Sequence, residues 1–179
     1  MSLIKRVAQL HIQSSLFERV VYSPKPITSF RSVEQKIPDS PIRKPRGLWY
    51  ECNKGWKEFV QREMPSWAEG YGHKYLLDVN LSRMCVIRTE KELNDFHDRY
   101  SFVIDNRRGE EGINWLAVSR DYDGIEICPY QWGSRNDEKT SWYYVWDVAS
   151  GCIWGRGAFK GVTEIDNDIR DEEFKSPYL

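Results

Sequence analysis

Four charged residues in the 179-residue chain stand beside aromatic rings in a way that could do chemistry: Arg19, Arg46, Glu126 and Asp147. Glu126 falls in Gly124-Ile-Glu-Ile127, and Asp147 ends the run Trp142-Tyr-Tyr-Val-Trp-Asp147. A carboxylate among apolar rings sits in a low dielectric, where its field on a developing cation is strong. Arginine holds phosphate through paired N–H donors. The segment Lys44-Pro-Arg46-Gly47-Leu-Trp49-Tyr50, with Trp56 soon after, offers flat faces on which a planar ring packs. Ser23 adds a hydroxyl where Arg19-Val-Val-Tyr22 ends. Each residue also has a plainer reading. Strand alternation would turn Glu126 outward to solvent. Asp147 suits a strand-end acceptor, Gly47 a bare turn, and the arginines surface cations. Trp49, Tyr50 and Trp56 suit ordinary core packing, and His73 a structural histidine.

These groups depend on short elements. Arg19–Tyr22 reads as a strand stopped by Ser23-Pro24-Lys25-Pro26. Residues 27–45 hold Pro38, Pro41 and Pro45 and read as a long ordered loop, with room for one helical turn near 29–35. A strand at 47–50 precedes a helix at 55–64, ended by Pro65. Strands are expected at 73–81 and 84–87. Thr89-Glu-Lys-Glu92 is a capping box opening a helix to Tyr100 with Leu93, Phe96 and Tyr100 on one stripe. Residues 104–112 read as a polar loop, 115–120 as a short helix, 125–128 as a strand and 131–140 as a polar loop. The run 142–148 is the most strand-like of all, broken by Ser150-Gly151 before 152–154 resumes. Residues 2–13 suit either a helix or a strand. Many short strands with two main helices predict an α+β fold of short, mostly antiparallel strands, with one domain over 1–165 and an acidic, frayed tail over 166–179.

Composition narrows the function. The net charge is −1 although 30% of residues are charged. No basic stripe therefore argues for nucleic-acid or membrane binding, and a single-stranded nucleic-acid binder working through aromatic platforms is disfavoured. No apolar run reaches the roughly 20 residues of a membrane span. The 8 Trp, 10 Tyr and 7 Phe supply enough volume for a core. Cys52, Cys85, Cys128 and Cys152 show no C-x-x-C pair and no histidine neighbour, so no metal site is expected. They read as buried reduced thiols, which implies a cytoplasmic setting. Phosphate-loop, dinucleotide-loop, nucleophile-elbow and zinc-helix motifs are absent.

The order of these segments resembles the ADP-ribosyltransferase fold of the diphtheria and cholera toxin superfamily. The likeness lies in the arginine-bearing first strand, the glycine–aromatic–aromatic strand at Gly47 running into a helix, and Trp115 followed by Tyr122-Asp-Gly-Ile125 and Val145-Trp-Asp147. It spans roughly residues 18–154. The resemblance implies an NAD-dependent transferase that moves ADP-ribose to a protein or nucleic-acid acceptor. Glu126 and Asp147 would be its catalytic carboxylates, and Arg19, Ser23, Arg46, Gly47, Trp49, Tyr50 and Trp56 would hold NAD. Departures from the pattern stand at Ser23, where a histidine is usual, at Glu51, where serine or threonine is common, and at Ser141-Trp142, where one pattern has a glutamate. They leave open a catalytically inactive relative that binds or inhibits a protein through an aromatic surface.

Overall fold

The computed structural model describes residues 17–105 and 109–169. Strands β1 (Arg19–Ser23), β2 (Leu48–Cys52), β3 (His73–Val79), β4 (Met84–Ile87), β7 (Gly124–Ile127), β8 (Ser150–Ile153) and β9 (Phe159–Ile165) form one seven-stranded sheet in the order β4-β7-β8-β2-β1-β3-β9. Only β4 and β7 pair in parallel. Strands β5 (Ser101–Asp105) and β6 (Glu110–Ile113) form a separate antiparallel hairpin. The helices are α1 (Gly55–Glu63), α2 (Glu90–Tyr100) and α3 (Trp115–Asp121). The α+β expectation holds.

Both faces of the sheet are covered. Toward the β4-β7-β8 side, one face meets α2, α3 and a 3₁₀ turn at Ser141–Val145. Leu93, Phe96, Trp115, Trp142, Tyr143, Trp146 and Trp154 pack there on Ile125, Ile127 and Cys152. Toward β1 and β3, the same face meets α1 and the 3₁₀ turn Pro65–Gly70 through Val60, Ala68, Tyr22 and Trp56. The opposite face holds Val21, Tyr50, Cys52, Tyr75, Leu77 and Ile153 under Phe30 from the long loop. That loop is ordered by specific bonds and has no helical turn: Val33 N donates to Trp154 O at 2.8 Å, and the Gln35 amide brackets the Arg46 backbone at 2.6 and 3.0 Å.

The capping box forms as its spacing predicts. Glu92 N donates to Thr89 Oγ1 at 3.2 Å, and Thr89 N to Glu92 Oε2 at 3.1 Å. Glu92 Oε2 also accepts from Arg88 N at 2.7 Å, which fixes the backbone from which Arg88 reaches into the core.

Several expectations fail for physical reasons. The run 142–148 is a 3₁₀ turn followed by irregular chain. Its aromatics answer to packing, with Trp142, Tyr143 and Trp146 all buried in one cluster, and tertiary contacts override β propensity. Ser150-Gly151 does not break a strand but starts β8. Residues 104–105 and 110–112, read as loop, belong to the β5–β6 hairpin. Asp168 pairs with Lys57 and Lys74, and Ile169 is wholly buried, so the chain is packed through 169. Residues 2–13 and 170–179 lie outside the described residues. Cys52 and Cys128 form a disulfide, leaving Cys85 and Cys152 as thiols. The two bonded residues are 76 positions apart in sequence but end strands that flank β8, an adjacency no spacing rule reveals. The inference of a cytoplasmic setting from four thiols loses its premise. Among the described residues no helix is long and apolar enough to cross a membrane.

Candidate functional site

Strand alternation sorts the candidate residues onto opposite faces of the sheet. The register aligns Tyr50, Gly151 and Glu126 across β2, β8 and β7, and Arg19 lies opposite Cys52 on the same side. Trp49 and Glu51, one residue out of phase, point the other way. Arg19 and Glu126 are therefore not brought to the indole of Trp49.

Glu126 is fully buried rather than turned to solvent, because β7 is an interior strand with both faces covered. Arg19 grips it with Nε at 2.6 Å from Oε2 and Nη2 at 3.1 Å from Oε1. Tyr50 Oη donates to Oε2 at 2.7 Å, and Arg88 Nη2 donates to Oε1. Tyr50 reaches Glu126 because Gly151 lies between them: a Cβ on Gly151 would sit 2.3 Å from the tyrosine ring. Burial alone would raise the carboxyl pKa, but the bonds and charges of Arg19 and Arg88 outweigh it and hold the group below its usual range. Arg19, only 7% exposed, is committed to this network. These residues build the core.

The other face leaves a cleft of about 330 Å³ between its two covering groups, over β1, β2 and β8. Val20, Tyr22, Trp49, Glu51 and Ser150 form its sheet side, Trp56 and Tyr71 one flank, and Lys44 and Val148 the other. Tyr50 also touches it. Trp49 packs edge-on to Trp146 at 5.1 Å, and Trp56 stacks on Phe59 at 5.4 Å, so both indoles are braced from behind.

Glu51 is the carboxylate of this cleft. Asn53 and Lys54 both take left-handed backbone, and the N-cap residue Lys54 gives α1 no side-chain cap. Glu51 Oε2 serves instead, accepting from Trp56 N and from Lys57 N at 3.3 Å. Burial pushes its pKa up to about 7, against the pull of those amides, of Lys74 and of Tyr22. Oε1 has no partner of hydrogen-bond geometry, and neither does the buried hydroxyl of Tyr22. A half-ionised carboxylate in an aromatic cleft at neutral pH is the arrangement a general acid–base needs.

Lys44 stands at the mouth, 5.2 Å from the Trp49 ring and 5.8 Å from Trp146, with Asp147 at 3.7 Å. Burial lowers its pKa, partly offset by Asp147. Asp147 thus holds a cation in place and does not line the cleft. Lys44 also lines a neighbouring groove of about 390 Å³ with Lys36, Arg43, Arg46 and Trp115. Arg43 is paired there with Asp39, whereas Arg46 has no ion pair among the described residues. Gly47 stands at the bend before β2 and lines neither the cleft nor the groove; a Cβ there would meet Ile153 O at 2.2 Å. Ser23 Oγ donates to Lys25 O at 2.7 Å and closes a turn away from the cleft. His73 pairs with Glu164 at the sheet edge.

Of the predicted residues, the structure gathers Trp49, Tyr50 and Trp56 at the cleft and Arg46 in the adjoining groove. Sequence reasoning passed over Glu51, Lys44, Tyr22, Tyr71 and Arg88. The period-2 rule could have found Glu51, two residues from Trp49, while nothing local marks Tyr71 or Arg88. Comparison with protein-family models, with curated proteins and with solved structures finds no match to the chain.

Proposed function

We propose that the aromatic cleft and its adjoining basic groove bind NAD, and that the protein transfers ADP-ribose to a protein or nucleic-acid acceptor with Glu51, not Glu126, as the working carboxylate. One observation carries this reading: Lys44 belongs to both walls, so the ring-sized cleft continues into a groove bearing Arg46. A cleft of about 330 Å³ is at the small end of ligand sites, ~300–1,000 Å³, and suits the ring and ribose half of a dinucleotide. The basic groove suits the phosphates. Arg46 presents the donor fork that pyrophosphate fits, the role for which Arg19 is unavailable.

Loss of the ring from its ribose develops positive charge on the sugar. Trp49 and Trp56 fix the plane of the ring, and Lys44 with Arg46 fixes the phosphates. The ionised Glu51, held by Oε2 to the start of α1, places negative charge in the cleft against the developing cation, and its Oε1 takes the acceptor's proton once the ring has left. Burial strengthens that field, because little water is present to screen it. Incubation with NAD labelled in the nicotinamide should release label, and Glu51→Gln should abolish release while Asp147→Asn only weakens it through Lys44. Silence of the wild type with protein and nucleic-acid acceptors and with water would end the enzymatic reading.

A second reading is favoured by a separate surface. Trp132 is 71% exposed and Tyr144 is 56% exposed, with Arg135 over the rings of Tyr130 and Tyr144. Trp, Tyr and Arg are the residues that dominate protein interfaces. A partner captured through Trp132 independently of NAD would support an inert binding module.

A further inference from the structure

Two buried polar atoms at the cleft are left over after every hydrogen bond of the described residues is drawn. Glu51 Oε1 is an acceptor on a side chain 3% exposed, and Tyr22 Oη is a donor. Both residues line the cleft, from neighbouring strands β2 and β1. Val20 lies opposite Glu51, which puts Tyr22 two residues along on the same face, and the two side chains do not meet in hydrogen-bond geometry. Both atoms are buried, and unmet buried polar groups destabilise a fold. The remaining walls are ring faces: Trp49, Trp56 and Tyr71. Lys74, over the Tyr22 ring, and Lys57 are both spent on Asp168, and neither forms an ion pair with Glu51 among the described residues.

An acceptor beside a donor, between aromatic walls, is complementary to one kind of ligand edge. We infer that Glu51 and Tyr22 read a planar heterocycle through an amide edge, its N–H donating to Glu51 Oε1 and its carbonyl accepting from Tyr22 Oη, while the ring packs on an indole. The shared chemistry is an N–H beside a C=O, supplied either by a ring carboxamide or by a nucleobase lactam. This inference rests on the cleft being the ligand site. It names what selects the ring, which the proposed reaction leaves open.

The test uses four small probes and intrinsic tryptophan fluorescence or ligand-observed NMR. Nicotinamide carries the carboxamide and uracil the lactam. 3-Acetylpyridine keeps the carbonyl and loses the N–H, and nicotinate replaces the amide with a charge that Glu51 repels. The expected result is that nicotinamide or uracil binds at least tenfold more tightly than 3-acetylpyridine and nicotinate. Whichever amide wins identifies the source. Tyr22→Phe, which keeps the ring, should weaken the amide probe and 3-acetylpyridine alike, each about tenfold, because both keep the carbonyl that Tyr22 binds; tenfold corresponds to about 1.4 kcal/mol, the scale of one net hydrogen bond. Equal binding of amide and acetyl probes overturns the inference, as does an unchanged amide affinity in Tyr22→Phe or no binding by any probe. Release of nicotinamide from NAD is scored separately. Amide selectivity without NAD cleavage removes the transferase reading and keeps this one; NAD cleavage without amide selectivity does the reverse.

Discussion

Replacing Glu126 by glutamine tests whether this carboxylate is architecture or chemistry. The side chain is wholly buried and faces two guanidinium groups, Arg19 at 7% and Arg88 at 11% side-chain exposure. Glutamine keeps the shape and still accepts from Tyr50. It removes the carboxylate that Arg19 and Arg88 share and points an amide toward them. Breaking a buried pair by removing one partner costs about 3–5 kcal/mol, because the remaining charge is uncompensated. In a domain of this size each kcal/mol moves Tm by roughly 2–4 °C, so a fall of roughly 6–20 °C is expected. Urea denaturation followed by tryptophan fluorescence measures the free energy, and calorimetry measures Tm. The pH dependence has a definite sign. The folded pKa of Glu126 is lowered, so its contribution is complete above the unfolded value near 4.3 and is lost as pH falls through the folded value. Wild type should therefore lose more stability than Glu126→Gln between pH 6 and pH 3. A companion variant, Arg19→Met with Arg88→Met and Glu126→Leu, should recover much of the loss, since apolar groups of similar size replace buried ion networks well. A change below about 1 kcal/mol in Glu126→Gln, or equal acid sensitivity in the two proteins, would refute the assignment of Glu126 to the core. So would loss of nicotinamide release with stability intact.

Other outcomes are expected from the same geometry. Glu51 has a folded pKa raised to about 7, so its neutral form favours the fold and that advantage is lost as pH rises from its unfolded value through 7; Glu51→Gln should flatten this dependence and, by roughly 3 kcal/mol at most, stabilise the protein at pH 8. Reduction of Cys52–Cys128 opens a 76-residue separation and should cost about 4.5 kcal/mol on the loop-entropy account, read as a lower urea midpoint in dithiothreitol. Gly151→Ala places a methyl against the Tyr50 ring and should destabilise by about 1–3 kcal/mol, with the hydroxyl of Tyr50 drawn away from Glu126. Arg46→Ala should raise KM for NAD at least tenfold while leaving nicotinamide binding unchanged, since its groove adjoins the ring cleft without forming its wall.

The parts legible in sequence are those set by neighbours in the chain. Thr89 and Glu92 announce α2 because a capping box is a local exchange of hydrogen bonds. Trp56, Phe59 and Val60 announce α1 by period, and Pro65 ends it. The candidate site was half legible for the same reason. Gly47-Leu-Trp49-Tyr50 marks a strand with indole and phenol, but which of them meets a carboxylate depends on the face each takes. Trp49 shares a face with Glu51, whereas Tyr50 shares one with Arg19 and Glu126, strands away. The error over Glu126 has one cause. Alternation in Ile125-Glu126-Ile127 was weighed as apolar-in, polar-out, a rule that presumes one solvated face. β7 has neighbours on both edges and cover on both faces, so its polar residue is buried and must be neutralised there. Arg19 comes 107 positions earlier, and Arg88 38 earlier. Pairings at such separations are decided by strand order, which no local pattern encodes. A glutamate that three donors fix in the core cannot also meet a ligand, and the proposed reaction therefore turns on Glu51. Its Oε2 already holds the start of α1 while Oε1 stays unmatched, so the helix that frames the cleft and the atom offered to a ligand depend on one side chain.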